Sequence, residues 1–202
     1  MKKYLTAVLL YVLGVFCTDA VADDQSELKK LLSSFNAFSA SFTQNVIKQD
    51  RTELASSKGT ISLKKPDNLM MYTSEPDEQV LFTRDNNVYF YDPFVNQVSI
   101  FNKSQMSNSP FILLTSNDAR EWDNYEVKRH DGEYVLTPKK RGEIKSLSLD
   151  FSGDTLSKIS IAMSDGNINT YVLSGQKKTV DDSVFEYSIP ADAEVDDERR
   201  TK

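Results

Sequence analysis

The sequence predicts a mainly β fold: an incomplete, half-open antiparallel β-barrel covered by a helical lid, with an amphipathic N-terminal helix. Three observations predict it. Apolar residues recur at every second position through most of the chain, as in Gly59-Thr60-Ile61-Ser62-Leu63-Lys64, which is the period of a strand with one dry face. Turn-forming pairs punctuate these runs about every ten residues, the spacing of consecutive hairpins. Only two stretches depart from the strand period, too few helices to cover both faces of a flat sheet, so a curled sheet with the helices over its open side is the economical arrangement.

The chain starts with Met1-Lys2-Lys3, an apolar run from Tyr4 to Phe16 and the small-x-small triplet Ala20-Val21-Ala22. These read as the three regions of a cleaved secretory signal peptide over residues 1–22, leaving one domain over 23–202. The apolar run is shorter than the ~20 residues a spanning helix needs. The single cysteine, Cys17, falls in the removed segment, so the remainder is expected to have no disulfide, thiol nucleophile or thiolate metal ligand. Removal of Lys2, Lys3 and Asp19 takes the formal charge from −6 to −7. An acidic surface repels phosphate backbones and anionic headgroups, which argues against nucleic acid and non-specific membrane adsorption.

From Asp24 to about residue 36, apolar residues fall at helical spacing, with Asp24 and Glu27 early and Lys29 and Lys30 later, a placement that suits the helix dipole. Strands follow, among them Lys145–Asp150 and Ser157–Ala162. Turns are expected at Asp85-Asn86-Asn87, Asp131-Gly132, Arg141-Gly142, Ser152-Gly153-Asp154, Asp165-Gly166-Asn167 and Ser174-Gly175. Ser107-Asn108-Ser109-Pro110-Phe111-Ile112-Leu113-Leu114 reads as a short apolar helix opened by Pro110, too apolar to lie free on a surface. The tail beyond Pro190, with Asp192, Glu194, Asp196, Asp197 and Glu198, reads as solvated: it lacks the ligand spacing and glycine of a calcium loop.

Nothing in the sequence assembles into a catalytic constellation, and no metal or cofactor is expected. The only histidine, His130, sits in a turn without an orienting partner. No Gly-x-Ser-x-Gly, Walker or dinucleotide glycine pattern occurs. Lys139-Lys140-Arg141 reads as a soluble loop tip or a contact for an acidic partner.

The apolar inventory is the informative part. Phe42, Ile61, Leu63, Leu69, Met71, Val80, Phe82 and Phe90 are the candidate lining of the interior, and Pro110, Phe111, Ile112 and Leu113 the candidate lid. Periodicity alone leaves open whether that interior is packed or hollow. Parity puts Lys65 on the face of Ile61 and Leu63, where an ammonium must reach water or oxygen partners. Free backbone carbonyls of a lid would serve, which makes Lys65 the candidate latch.

Several stretches together resemble the LolA family of periplasmic outer-membrane lipoprotein carriers. They are Ser39-Ala40-Ser41-Phe42-Thr43-Gln44, Lys65-Pro66, Glu75-Pro76-Asp77-Glu78, Tyr89-Phe90-Tyr91-Asp92-Pro93-Phe94-Val95, Asn108-Ser109-Pro110-Phe111, Leu136-Thr137-Pro138-Lys139 and Val195-Asp196-Asp197. The resemblance implies a hollow, lidded half-barrel that holds the acyl chains of triacylated lipoproteins. It implies a shuttle that takes its cargo from an inner-membrane ABC transporter and yields it to an outer-membrane receptor; a monomer suits that role, and no enzymatic activity is expected. The family has an arginine where this chain has Lys65, and an aromatic residue where it has Leu69. An ammonium is a single flexible charge rather than a rigid fork, so a looser lid is expected. The alternative is a related β-domain with a packed interior, acting as a periplasmic sensing or scaffold module.

Overall fold

The structure is a computed structural model describing residues 23–106, 109–116 and 118–199, with Ala119 and Arg120 as backbone only. The expected signal peptide, and Ser107 and Asn108 of the apolar segment, lie outside the described residues. Helix α1 runs Asp24–Ser33, capped by the Asp23 side chain, which accepts a hydrogen bond from the Gln25 amide. It buries Leu28 and Leu32, the two positions one helical turn apart that the pattern marks as its dry stripe. It stops short of residue 36 because the Phe35 and Phe38 rings turn into the core at the start of the first strand.

The strands are β1 Ala37–Ile47, β2 Glu53–Lys64, β3 Asn68–Glu75, β4 Gln79–Arg84, β5 Asn87–Asp92 and β6 Gln97–Asn102. Helices α2 (Pro110–Thr115) and α3 (Ala119–Trp122) follow, then β7 Tyr125–His130, β8 Glu133–Pro138, β9 Ile144–Ser152, β10 Thr155–Met163, β11 Ile168–Lys177 and β12 Glu194–Asp197. They form one sheet in the order β12-β6-β5-β4-β3-β2-β1-β11-β10-β9-β8-β7. All pairings are antiparallel except β12 with β6. Because β7 and β12 are its two edges, the sheet is not closed.

Twelve flat strands at ~4.8 Å spacing would span about 50 Å. Yet one apolar cluster joins Leu63 and Leu69 of β2 and β3 with Leu136, Leu149 and Ile159 of β8 to β10, together with α1 and α2 residues. The sheet is therefore strongly curled, with both helices on its inner face. Gly59 helps the curl. The register slips between Lys58 and Gly59, and a Cβ there would sit 2.0 Å from the Tyr72 carbonyl oxygen and 2.7 Å from the Phe42 ring.

A second apolar cluster lies on the outer face: Met70, Val80, Phe82, Tyr91, Val98 and Ile100, covered by Phe185, Tyr187, Ile189 and Ala193. The chain after β11 crosses this face, held by an ion pair between Lys64 and Asp182 and by the Arg84 guanidinium donating to the Tyr187 carbonyl. It then enters β12.

Three expectations are corrected here. Ser174-Gly175 is not a turn but a bulge inside β11, with Gly175 at φ 63° and the register moving from Ser41 opposite Ser174 to Ser39 opposite Lys177. The acidic tail is not merely solvated, since Glu194–Asp197 pair with β6. Val80 and Phe82 point away from the interior, because Gln79 and Leu81 take the inner parity of β4 and leave Val80 and Phe82 under the C-terminal segment.

Candidate functional site

The inner face is built row by row from alternate residues. Phe42 of β1 lies opposite Gly59 of β2 and Leu173 of β11. Ile61 lies opposite Met71, and Leu63 opposite Leu69. All of these side chains except the glycine are buried in the inner cluster. Phe90 is paired with Leu81 and shares its face, half-buried. Six of the eight candidate lining residues thus share one surface. Sequence reasoning missed its far half, Leu147, Leu149, Ile159, Ile161 and Tyr171, although the same alternation marks those strands.

Helix α2 covers this surface. Pro110 sits in its first turn, where the missing amide costs nothing, and all six residues from Pro110 to Thr115 are buried. The Phe111 ring stands edge-on to Tyr171 with centroids 5.0 Å apart, and Tyr171 stands edge-on to Phe42 at 5.7 Å. Such pairs add ~0.5–1.5 kcal/mol beyond area burial. Burial pushes the Tyr171 hydroxyl up to about 12, against a smaller opposing pull from Gln44. Among the described residues the polar tethers of α2 are few. The Asp67 amide donates to the Thr115 carbonyl at 3.2 Å, and Asp67 itself is ion-paired with Lys103.

In this form α1 and α2 side chains pack on the inner face as part of its apolar cluster. Lys65 does not latch α2. Its Nζ donates to the Leu32 carbonyl in the last turn of α1 at 2.6 Å and lies 4.9 Å from the Phe35 ring centroid. An ammonium there meets the carbonyl-rich end of the helix, which is why α1 rather than α2 captures it. Burial lowers the Lys65 pKa from its ordinary value.

His130 and the two tyrosines of β5 lie apart from this surface. His130 is exposed at the end of β7, 3.1 Å from the Asp131 carboxylate. Tyr89 stacks on Phe82, and Tyr91 lies 6.1 Å from Tyr187, both on the outer face. Among the described residues no helix is long and apolar enough to cross a membrane.

An open, curled antiparallel sheet with a continuous apolar inner face under a six-residue apolar helix defines a class of β-domain suited to enclosing apolar groups. The chain belongs to the LolA family, described as outer membrane lipoprotein carrier protein, whose profile matches residues 33–188. It is 37% identical to the outer-membrane lipoprotein carrier protein of Actinobacillus pleuropneumoniae serotype 7, covering 100% of this chain and 98% of that one. It is 33% identical to that of Pectobacterium carotovorum, over 99% and 100% of the two chains. A solved Thermus thermophilus protein shares the fold, with a TM-score of 0.52 at 12% identity over 85% of this chain and 99% of that one.

Proposed function

We propose that this chain is a periplasmic carrier that takes the acyl chains of triacylated lipoproteins onto the inner face of its sheet and passes them between membranes. The observation that carries the reading is α2, a wholly buried apolar helix of only six residues. It covers an aromatic-rich surface through side-chain packing and few polar tethers. Such an element can leave as a unit without breaking the sheet ladder, and it exposes apolar area when it does.

Burial gains about 0.8 kcal/mol per methylene, so three chains of about fifteen methylenes stand to lose ~35 kcal/mol on entering water unaided. A carrier must offer comparable apolar surface, and α2 is the piece that must move to provide it. Phe42, Ile61, Leu63, Leu69, Met71 and Phe90 then line the site, Pro110 to Leu113 form the lid, and no residue acts as a catalyst. Lys65 steadies the end of α1 beside the opening. An inner-membrane ABC transporter supplies the cargo and an outer-membrane receptor accepts it. Transfer proceeds downhill if the receptor binds the chains more tightly, and a monomer suits the shuttle.

The test is release of a newly made triacylated lipoprotein from spheroplasts. Adding the chain from Asp23 onward should move the lipoprotein into the soluble fraction, and adding outer membranes should then recover it there. Cargo that stays in the spheroplast membrane at saturating protein would contradict the reading and favour the packed-interior module.

A further inference from the structure

Beyond α2, toward the end of the sheet that carries the β1–β2 and β3–β4 turns, the same inner face changes character. Gln44 lies between Tyr171 of β11 and Ser57 of β2 in the strand register. Thr73 of β3 lies opposite Gln79 of β4. Gln44, Ser57, Thr73 and Gln79, with Val46, Ala55 and the rim residues Pro76 and Asp77, line an open cavity of about 230 Å³. The residues one step deeper on these strands are Phe42, Met71 and Leu81, which pack in or against the inner cluster. The boundary between apolar and polar lining is therefore a single row wide.

Within that row Ser57 Oγ donates to Gln44 Oε1 at 2.7 Å, and the strand register places Tyr171 beside Gln44 on its other side. Tyr171 is 8% exposed, and its ring packs against Phe42 and Phe111 in the last apolar row before the cavity. The one charged side chain of the lining is the carboxylate of Asp77. The row thus offers hydroxyl and amide donors at the edge of an apolar surface and no cation.

We infer that this polar row is the subsite for the ester and amide carbonyls at the head of a multiply acylated cargo, with Tyr171 and Gln44 as its donors. The inference rests on the acyl-carrier reading and extends it to the orientation of the cargo. Chains point inward along Phe42 and Met71, and the neutral acylated head stays at the opening. The chemistry requires such a place, because a carbonyl drawn into an apolar site without a donor loses its hydrogen bonds to water. It also discriminates among lipids. A phosphate headgroup would meet the Asp77 carboxylate and find no cation, so anionic phospholipids are poor occupants although their chains are the same.

The experiment uses two ligands on the whole chain from Asp23 onward. N-phenylnaphthylamine, a fluorescent apolar probe without a carbonyl, reports the apolar surface by direct titration. A triacylated cysteinyl lipopeptide reports the complete site by displacing it. The substitutions Tyr171→Phe and Gln44→Met, combined, remove the donors while keeping the ring contacts with Phe42 and Phe111. Loss of two neutral hydrogen bonds should weaken the lipopeptide about tenfold, at least fivefold more than it alters the probe's affinity.

An unchanged lipopeptide affinity would overturn the subsite. So would an equal loss for both ligands, because that marks damaged packing. A wild-type chain that binds the probe but not the lipopeptide would overturn it as well. A wild-type chain that binds neither would instead defeat the carrier reading itself. Phosphatidylglycerol should compete at least tenfold more weakly than the lipopeptide, and Asp77→Lys should narrow that gap; an unaltered gap would overturn the discrimination against phosphate.

Discussion

Phe111→Ala separates a lid from a piece of core. The ring is buried and stands edge-on to Tyr171 at 5.0 Å. Truncating a buried phenylalanine costs about 3–5 kcal/mol when the whole fold depends on it. If α2 undocks before the sheet unfolds, the loss falls on undocking instead. A shift of ~3 kcal/mol then multiplies the undocked population roughly a hundredfold, up to the limit at which α2 is mostly undocked. Because only the undocked form offers the inner face, apparent affinity for an apolar probe should rise by the same factor. The assay is a N-phenylnaphthylamine titration beside a urea denaturation followed by far-ultraviolet circular dichroism. The account expects tighter probe binding with the sheet's urea midpoint nearly unchanged. A fall in global stability of about 3–5 kcal/mol with unaltered or weaker binding would show that α2 is structural core.

Phe82→Ala tests the assignment of faces. Phe82 is fully buried beneath Tyr187 on the outer side, so its truncation should cost about 3–5 kcal/mol and speed proteolysis within residues 182–197, yet leave probe affinity unchanged; weakened binding would return Phe82 to the interior. Gly59→Ala should destabilise by at least about 1–3 kcal/mol, and adding Phe42→Leu should not restore it, because the Tyr72 carbonyl oxygen, 2.0 Å from the new Cβ, cannot yield; rescue in urea melts would assign the clash to the ring instead. Tyr171 has its hydroxyl pKa raised from 10.0 to about 12, so the stability it contributes is complete below pH 10 and is lost as pH rises toward 12. At ~1.36 kcal/mol per unit that is about 2–3 kcal/mol, and Tyr171→Phe should lose correspondingly less between pH 9 and 11.5; parallel curves would contradict the shift. Lys65→Leu removes the donor to the Leu32 carbonyl, which is 2.6 Å from Nζ, and should speed amide exchange through residues 31–34 about five- to tenfold; unchanged exchange would show that the contact does not hold α1.

Alternation made the sheet and its two faces legible, and the turn pairs at Asp85-Asn86 and Asp131-Gly132 marked their hairpins because both need positive φ. Ser174-Gly175 carries the same chemical signal and means a bulge, since a left-handed residue fits either feature and only the partner strand decides. Val80 and Phe82 read as interior residues but face outward for a related reason. Continuous burial on both sides of β3 and β4 erases the contrast that parity reasoning needs, and the chain that covers the outer side arrives from residues 185–193, about a hundred positions away. Parity shows Lys65 as an ammonium at the end of a dry face that must reach water or oxygen partners, but sequence does not say which helix end lies within reach. The apolar character of α2 is plain in Pro110-Phe111-Ile112-Leu113-Leu114, whereas Tyr171, the ring that Phe111 meets, looks like any other strand aromatic. The polar row beside Tyr171 was invisible because Gln44 and Ser57 meet only through the β1–β2 register.

The central claim is that the chain holds acyl chains and gives them up to an acceptor. Native mass spectrometry tests it most directly, on the protein purified from the periplasm of cells co-expressing a triacylated lipoprotein, before and after adding a receptor-bearing outer-membrane fraction. The account predicts a one-to-one complex that empties when the acceptor is added. A chain that remains empty while the lipoprotein stays in the membrane, with no displacement of N-phenylnaphthylamine by the lipopeptide, would contradict it.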